Sequence, residues 1–313
     1  MRNFTKIKVI GIGGSGGNAL SRMWKLKTKD VEFIAINCDV QDLKHTKADK
    51  KIQIGKQLTK GLGAGADPNI GYRAALEQKD EIREALSGGN IIFITCGLGG
   101  GTGTKGSSVV AEIAKSEIGA LTIGIVTLPF SFEGFYRKRV AMSGLEKLKE
   151  KVDALIVIEN DKLLEKINDK IDIDRAFWVC DEVLRDTVFG IADLLFSFGV
   201  INVDFADIKE IMKDSGYALF GTGKGFGENM VEEAATKAIN FSLSGLSIKG
   251  ATGILFNISA RTTPPLTSIE KAAQIITREV SPSAKVIFGV TKNKKLGVNE
   301  ARIVVIATGI KER

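Results

Sequence analysis

GLGGGTGT occupies Gly97 to Thr104 and follows Ile91 to Ile94, an apolar run that is typical of a buried strand. Residues Ser107 to Ile118 then have the apolar spacing of a helix. Glycine permits tight turns and close approach of the backbone to a ligand, and the first amides of a helix are free to bind an anion. The stretch therefore predicts a phosphate-binding turn between a strand and a helix.

A second glycine-rich turn, GIGGSGGN, occupies Gly11 to Asn18 and also joins an apolar run to a helical pattern. Gly11, Gly13 and Gly16 match the dinucleotide fingerprint G-x-G-x-x-G. Asp39 follows the next predicted strand, where a ribose-binding acid is expected, so a nicotinamide-dependent oxidoreductase is one alternative. Tight turns without a ligand are another. Two such turns at one sheet edge would surround a chain of phosphates, which favours a nucleoside triphosphate.

Composition excludes several other classes of protein. The 313 residues include 26% charged and 44% apolar residues, and the net charge is +7, so disorder is not indicated. No apolar run of about 18 residues occurs, and Met1 to Lys8 is too polar for a signal peptide, so we expect a cytoplasmic protein. His45 is the single histidine, which excludes a Ser-His-Asp triad. Three cysteines, Cys38, Cys96 and Cys180, are expected to be reduced and buried. Few aromatics and no known motif argue against nucleic-acid binding.

Apolar runs alternate with helical patterns through the first half of the chain, which predicts an α/β fold with a mostly parallel, Rossmann-like sheet. A long helical pattern follows from Arg175 to Phe196, and shorter helices and strands come after it. We therefore predict a nucleotide-binding domain over 1–172, a central connecting helix over 173–199 and a smaller α/β domain over 200–313.

The GGGTGT sequence resembles the signature of the tubulin and FtsZ superfamily. Other segments are similar to the FtsZ family in the same order along the chain: Gly61 to Pro68, Pro129 to Gly134, Leu155 to Ile158 with Asn160 and Asp161, and Asn202 to Asp207. The resemblance implies a GTP-binding domain, a long central helix and a C-terminal domain. It also implies a cytoskeletal GTPase that assembles head to tail for cell division, located at the division site, with GTP or GDP and Mg²⁺ as ligands.

The same resemblance implies which residues hold the nucleotide. They are Gly13, Gly14, Ser15, Gly16, Gly17, Asn18, Asn37, Gly100, Gly101, Thr102, Gly103, Thr104, Thr127, Glu133, Arg137, Phe177 and Asp181. Phe177 resembles the residue that stacks on guanine, and Asp181 the one that accepts its N1 and N2 hydrogens. Glu133 and Arg137 match the ribose-side and phosphate-side positions. Without the family, Phe177 is also consistent with a core aromatic and Asp181 with a solvated helix face.

Asn202, Asp204 and Asp207 are the candidate catalytic residues. Their positions also suit a helix start, where Asp204 would cap the helix and Asp207 would favour the positive end of its dipole. The resemblance implies instead that this loop enters the nucleotide site of the adjoining subunit, where its acids activate water. Hydrolysis would then increase with assembly, and a non-hydrolysing tubulin-like scaffold is the alternative.

Three features depart from the family or lie outside its site. Lys105 stands where the signature continues with glycine, and its register also excludes a Walker A loop. It could add charge to the phosphate site, point to solvent or reach across a subunit contact. The glycines from Gly221 to Gly227 are predicted to form a structural turn. No docking peptide is recognisable after the last predicted strand. A second copy of the chain is the expected partner, and division proteins are a further class that the resemblance implies.

Overall fold

The computed structural model describes residues 5–310 except 27, 29, 166–170, 197–198 and 242–246. The chain divides into two compact units, Met1–Val188 and Phe189–Arg313, with the division inside the long helix α8 (Ile173–Phe196). This helix begins two residues earlier than its apolar spacing predicts. The three-part domain division over 1–172, 173–199 and 200–313 stays a prediction.

The first unit contains a six-stranded parallel sheet with the strand order β3-β2-β1-β4-β5-β6. Its strands are β1 (Ile7–Ile12), β2 (Val31–Asn37), β3 (Lys50–Gln53), β4 (Ile91–Gly97), β5 (Leu121–Leu128) and β6 (Ala154–Glu159). Their continuous apolar runs are buried because helices cover both faces of the sheet. The order reverses between β1 and β4, and ligands of open parallel sheets bind at such a point, outside the carboxyl ends of the strands. The predicted α/β fold with a mostly parallel sheet is confirmed.

Besides the first part of α8, seven α-helices accompany these strands in the described part of the first unit. They are α1 (Gly13–Met23), α2 (Val40–His45), α3 (Pro68–Glu77), α4 (Lys79–Leu86), α5 (Thr102–Glu112), α6 (Phe135–Lys149) and α7 (Asn160–Leu164). Helices α3 and α4 are separated at Gln78, whose φ of −106° and ψ of 27° are not helical. Helix α5 begins at Thr102, earlier than predicted, because its first buried residues are small rather than apolar.

The second unit has its own mixed sheet with the order β8-β11-β9-β10-β7, in which only the β9–β10 pair is parallel. Its elements are β7 (Gly199–Ile201), α9 (Phe205–Met212), β8 (Gly216–Phe226), α10 (Met230–Asn240), β9 (Gly253–Ala260), α11 (Leu266–Thr277), β10 (Lys285–Lys292) and β11 (Glu300–Thr308). An apolar cluster between this sheet and helices α10 and α11 forms its core. Throughout the described ranges, no helix has both the length and the apolar character needed to cross a bilayer.

The prediction of a turn over Gly221 to Gly227 is wrong for most of its length. Gly221, Gly223 and Gly225 lie inside strand β8 and share one face of it. A Cβ atom on any of them would come within 1.9 to 2.2 Å of a backbone oxygen of α10. Helix α10 therefore packs directly on the strand backbone, and Gly227, with a φ of +76°, is the residue that turns the chain.

Candidate functional site

A cavity of about 480 Å³ opens at the carboxyl ends of β1 and β4, between the two glycine turns. Thirteen of the seventeen residues expected to bind a nucleotide line it. They are Gly13, Gly14, Ser15, Asn18, Gly100, Gly101, Thr102, Gly103, Thr127, Glu133, Arg137, Phe177 and Asp181. The two separate sequence motifs thus meet at one cavity.

The first turn brings α1 very close to the sheet. Gly13 has a φ of +72°, a conformation that glycine adopts without strain. A Cβ atom on Gly16 would lie 2.6 Å from the carbonyl oxygen of Thr95 and 2.8 Å from the carbonyl carbon of Gly11. Gly16 therefore permits the close packing of α1, and it does not line the cavity. Gly17 likewise faces Thr46, away from the cavity.

The second turn is held by a side chain that points back into it. The Thr104 hydroxyl accepts a hydrogen bond from the Gly99 amide at 2.9 Å and donates to the Gly100 carbonyl. Gly99 has a φ of +100°. Thr104 is fully buried and lies behind the cavity wall, so its contribution is to fix the turn. Because Gly103 packs against Gly97 and Ile12, the turn also sits tightly over both strands.

Asn37 is the fourth expected residue that does not line the cavity. It is buried, and its side-chain amide nitrogen donates to the Asp42 carboxylate at 2.7 Å. Asp39, the ribose-binding acid of the dinucleotide alternative, caps helix α2 by accepting from the amides of Gln41 and Asp42 at 2.8 and 3.1 Å. Asp39 is also not part of the cavity wall, which removes the main support for a nicotinamide site.

One end of the cavity is formed by an aromatic ring and a buried carboxylate. The Phe177 side chain is 39% exposed, and its ring meets Phe130 edge-on at 5.3 Å. Asp181 follows one helical turn later, is 7% exposed and forms an ion pair with Arg22 at 3.0 Å. Burial raises the pKa of Asp181 to about 6, and the Arg22 charge only partly offsets this.

Arg22 and Asn160 are cavity residues that the sequence analysis did not select. The Arg22 Nη1 and Asn160 Oδ1 atoms are buried and have no hydrogen-bond partner. Buried polar atoms normally have partners, so these two are available to a ligand. Helical spacing could have found Arg22, because it lies four residues after Asn18 on the same face of α1. The other lining residues that were missed are Ile12, Gly97, Leu98, Pro129 and Cys180.

Glu133 and Arg137 form the outer rim of the cavity. The Glu133 carboxylate accepts from the Phe130 amide at 2.8 Å and pairs with the Arg137 guanidinium at 3.0 Å. The aliphatic stem of Arg137 packs against Gly99, where a Cβ atom would lie only 2.8 Å from Arg137 Cγ. The half-exposed guanidinium is thus held beside the second glycine turn, and it has more N–H donors than the ion pair with Glu133 uses.

The three cysteines are unpaired and buried, as expected. The glycine-containing segment Gly61 to Pro68 packs against the second turn, since a Cβ atom on Gly101 would come within 2.8 Å of Ala64 Cβ. Lys105 does not point into the cavity; its ammonium donates to Asn69 Oδ1 at 2.7 Å.

No group of three or more His, Cys, Asp or Glu side chains suited to a metal occurs within the described residues.

The candidate catalytic residues belong to the second unit. Asp204 accepts from the Asp207 amide at 2.9 Å, and Asp207 accepts from the Asp204 amide at 3.0 Å, so the pair caps α9 reciprocally. Asn202 Oδ1 accepts from the Gly199 amide at 2.7 Å. Asp204 and Asn202 are exposed. The capping role is therefore present, and each carboxylate has a second oxygen that the cap does not use.

The raised pKa of Asp181 leads us to expect that GTP binding depends on pH. Its pKa lies near 6 in the folded chain, against an ordinary 3.8, so protonation of Asp181 adds stability at low pH that is lost as the pH rises through 6. A purine donating two hydrogens to this carboxylate needs its ionised form. We expect GTP affinity to fall about tenfold per pH unit below the pKa, and Asp181→Asn to flatten this profile. Titrations of GTP binding from pH 5 to 8 test this, and a flat wild-type profile would exclude it.

Comparisons with known proteins extend over both units. Residues 6–168 match the Tubulin/FtsZ family GTPase domain, and residues 216–311 match the FtsZ family C-terminal domain. A solved structure of an empty FtsZ dimer from M. jannaschii is 44% identical, covers 97% of this chain and 88% of its own, and has a TM-score of 0.90.

Two solved structures from Haloferax volcanii are similar in fold at lower identity. A GTPγS-bound protofilament of CetZ2 is 21% identical over 98% of this chain and 94% of its own, with a TM-score of 0.84. A GDP-bound monomer of CetZ1 is 24% identical over 98% and 95%, with a TM-score of 0.81.

Proposed function

The chain belongs to the tubulin/FtsZ family, and from this membership we propose that it hydrolyses GTP and assembles head to tail into filaments that act in cell division. The observation that carries the proposal is the single cavity with two chemically different ends. Two glycine turns with free helix amides form one end, which suits phosphates. A buried carboxylate beside an aromatic ring forms the other, which suits guanine.

The groups that line the cavity support GTP as the ligand. Guanine presents two ring-edge hydrogens, which the Asp181 carboxylate can accept, whereas adenine offers no such pair. The Phe177 ring provides a stacking surface. The unpartnered Arg22 Nη1 and Asn160 Oδ1 supply one donor and one acceptor for the purine or ribose. Arg137 provides the positive charge near the phosphates.

Among the described residues that line it, the cavity lacks a group that could activate water. Its two carboxylates, on Glu133 and Asp181, are both paired with arginines. We therefore assign activation of the attacking water to Asp204 and Asp207 of a second copy, with Asn202 beside them. A general base of this kind contributes on the order of 10²- to 10⁴-fold to a rate. The nucleotide and the acids then belong to different subunits, so turnover increases with assembly.

A head-to-tail contact repeats along an open filament, because each copy offers its nucleotide cavity to one neighbour and its acidic loop to the other. Support comes from relatives: the FtsZ of M. jannaschii is known as a dimer and CetZ2 of H. volcanii as a protofilament. The proposal places the filament in the cytoplasm at the division site, with other division proteins as further partners.

Mg²⁺ belongs to the proposal as a companion of the nucleotide. This cation commonly binds through one or two carboxylates together with phosphate oxygens and several waters. Because both cavity carboxylates are engaged with arginines, its protein ligands would come from Asp204 or Asp207 of the second copy. When bound, it would neutralise phosphate charge.

Sedimentation and phosphate release across a protein concentration series test the proposed function. With GTP, pelleting and turnover per molecule are expected to rise together above a threshold concentration, while ATP has neither effect. A rate per molecule that does not depend on concentration would contradict activation by assembly. Pelleting with GTP but without phosphate release would indicate a non-hydrolysing scaffold.

A further inference from the structure

Lys105 occupies an unusual electrostatic position. It lies in the first turn of α5, next to the second glycine turn, and a cation there is disfavoured by the positive end of the helix dipole. Its side chain leaves the nucleotide cavity and crosses to helix α3, where its ammonium donates to Asn69 Oδ1 at 2.7 Å. The contact is therefore a bridge between two helices rather than a contribution to the cavity wall.

The bridge spans a seam in which the two helices touch through their backbones. A Cβ atom on Gly71 of α3 would lie 2.3 Å from the Gly101 carbonyl oxygen and 2.9 Å from Thr102 Cα. On the other helix, a Cβ atom on Gly106 would lie 3.3 Å from the Gly71 carbonyl oxygen. At Gly71 and Gly106 the two helices therefore meet through backbone atoms, and the bond from Lys105 to Asn69 is a polar link beside this glycine seam.

Asn69 connects the bridge to the segment that supports the phosphate turn. The Asn69 amide donates to Asp67 Oδ1 at 2.8 Å, which caps α3. Gly101 packs against this same segment: its Cβ position is 3.1 Å from the Asp67 amide nitrogen and 2.8 Å from Ala64 Cβ. A movement of the first turn of α3 would therefore displace Ala64 and Asp67, which pack against Gly101.

We propose that Lys105 is a positioning residue that holds α3 and residues 61–67 against Gly101, and so fixes the phosphate turn without touching the nucleotide. The inference rests on the proposed binding of GTP in this cavity. In this role Lys105 supports GTP binding through its hydrogen bond to Asn69 and not through its charge. Loss of the Asn69 side chain should therefore weaken GTP binding as much as loss of the Lys105 side chain.

A double-mutant cycle of Lys105→Met and Asn69→Ala separates these roles. Each single variant is expected to weaken GTP binding about threefold to fivefold, because the bond is exposed and such contacts are usually worth less than about 1 kcal/mol. The double variant should be no weaker than either single one, because both remove the same link. Lys105→Arg should largely restore GTP binding.

Guanosine, measured by competition, should bind all variants equally, since it lacks the phosphates. Lys147→Met on α6 is the matched control and should resemble the wild type.

Hydrogen exchange of the nucleotide-free protein supplies a readout that does not depend on GTP. Both single variants should speed exchange of the amides of residues 61–67 and leave β1 unchanged. If Asn69→Ala has no effect while Lys105→Met weakens GTP binding, Lys105 acts through its charge and the inference is wrong. An equal loss of guanosine binding would indicate general damage and would also overturn it. Failure of the wild type to bind GTP would instead contradict the proposed function, while exchange still tests the link.

Discussion

Asp207→Asn is expected to bind GTP with unchanged affinity and to lose more than about a hundredfold in turnover at concentrations where the wild type assembles, which is the scale of a lost general base. Asparagine keeps an oxygen that can accept from the Asp204 amide, so the reciprocal cap at the start of α9 survives. The substitution therefore removes the charge that would polarise water and preserves the fold of the loop. GTP binding and phosphate release, measured on the same preparation, check both parts.

Glu210→Gln is the matched control for this variant. Glu210 lies on the same helix, and its carboxylate pairs with Lys285. Losing such an exposed ion pair usually costs less than about 1 kcal/mol, so turnover should stay near the wild-type rate. Substantial activity in Asp207→Asn, or an equal loss in Glu210→Gln, would contradict the assignment of Asp207 to the reaction.

Asp181→Asn should weaken GTP binding about a hundredfold. The variant loses a charged acceptor of two hydrogen bonds, and each such bond is worth roughly 1.5 to 3 kcal/mol. The new amide group can donate, so it should favour xanthosine triphosphate, which carries a carbonyl oxygen where guanine has its amino group. Competition titrations with GTP, ATP and xanthosine triphosphate measure this reversal of preference.

The neighbouring Glu182→Gln serves as its control. Glu182 is on the same helix and pairs with Arg185 at 3.3 Å, and it does not line the cavity. An unchanged order of nucleotide preference would show that Asp181 does not read the base.

The two glycine turns and the parallel sheet could be predicted because their signals are local. Glycine clusters directly follow apolar runs at Gly11 and Gly97, and the strand–turn–helix pattern needs no long-range information. Parallel strands then bring both turns to one sheet edge. Which glycines line the cavity and which permit close packing could not be predicted, because Gly16 and Gly100 differ only in what lies opposite them.

Other features depend on contacts between segments far apart in the chain. The alternation of Gly221, Gly223 and Gly225 fits strand periodicity, yet only the packed helix α10 shows why side chains are excluded there. The bond from Lys105 to Asn69 joins residues 36 positions apart, so the sequence left three directions open for that lysine. Arg22 was missed although its helical spacing from Asn18 was available.

The most direct test of catalysis between subunits is to mix the two inactive variants. At a GTP concentration well below the dissociation constant of Asp181→Asn, this variant supplies intact acids without bound GTP, and Asp207→Asn supplies an intact cavity without its acid. Random head-to-tail mixing makes about a quarter of the contacts complete. The equimolar mixture with GTP is therefore predicted to recover phosphate release, towards about a quarter of the wild-type rate. A mixture no more active than the two variants measured separately would contradict the account.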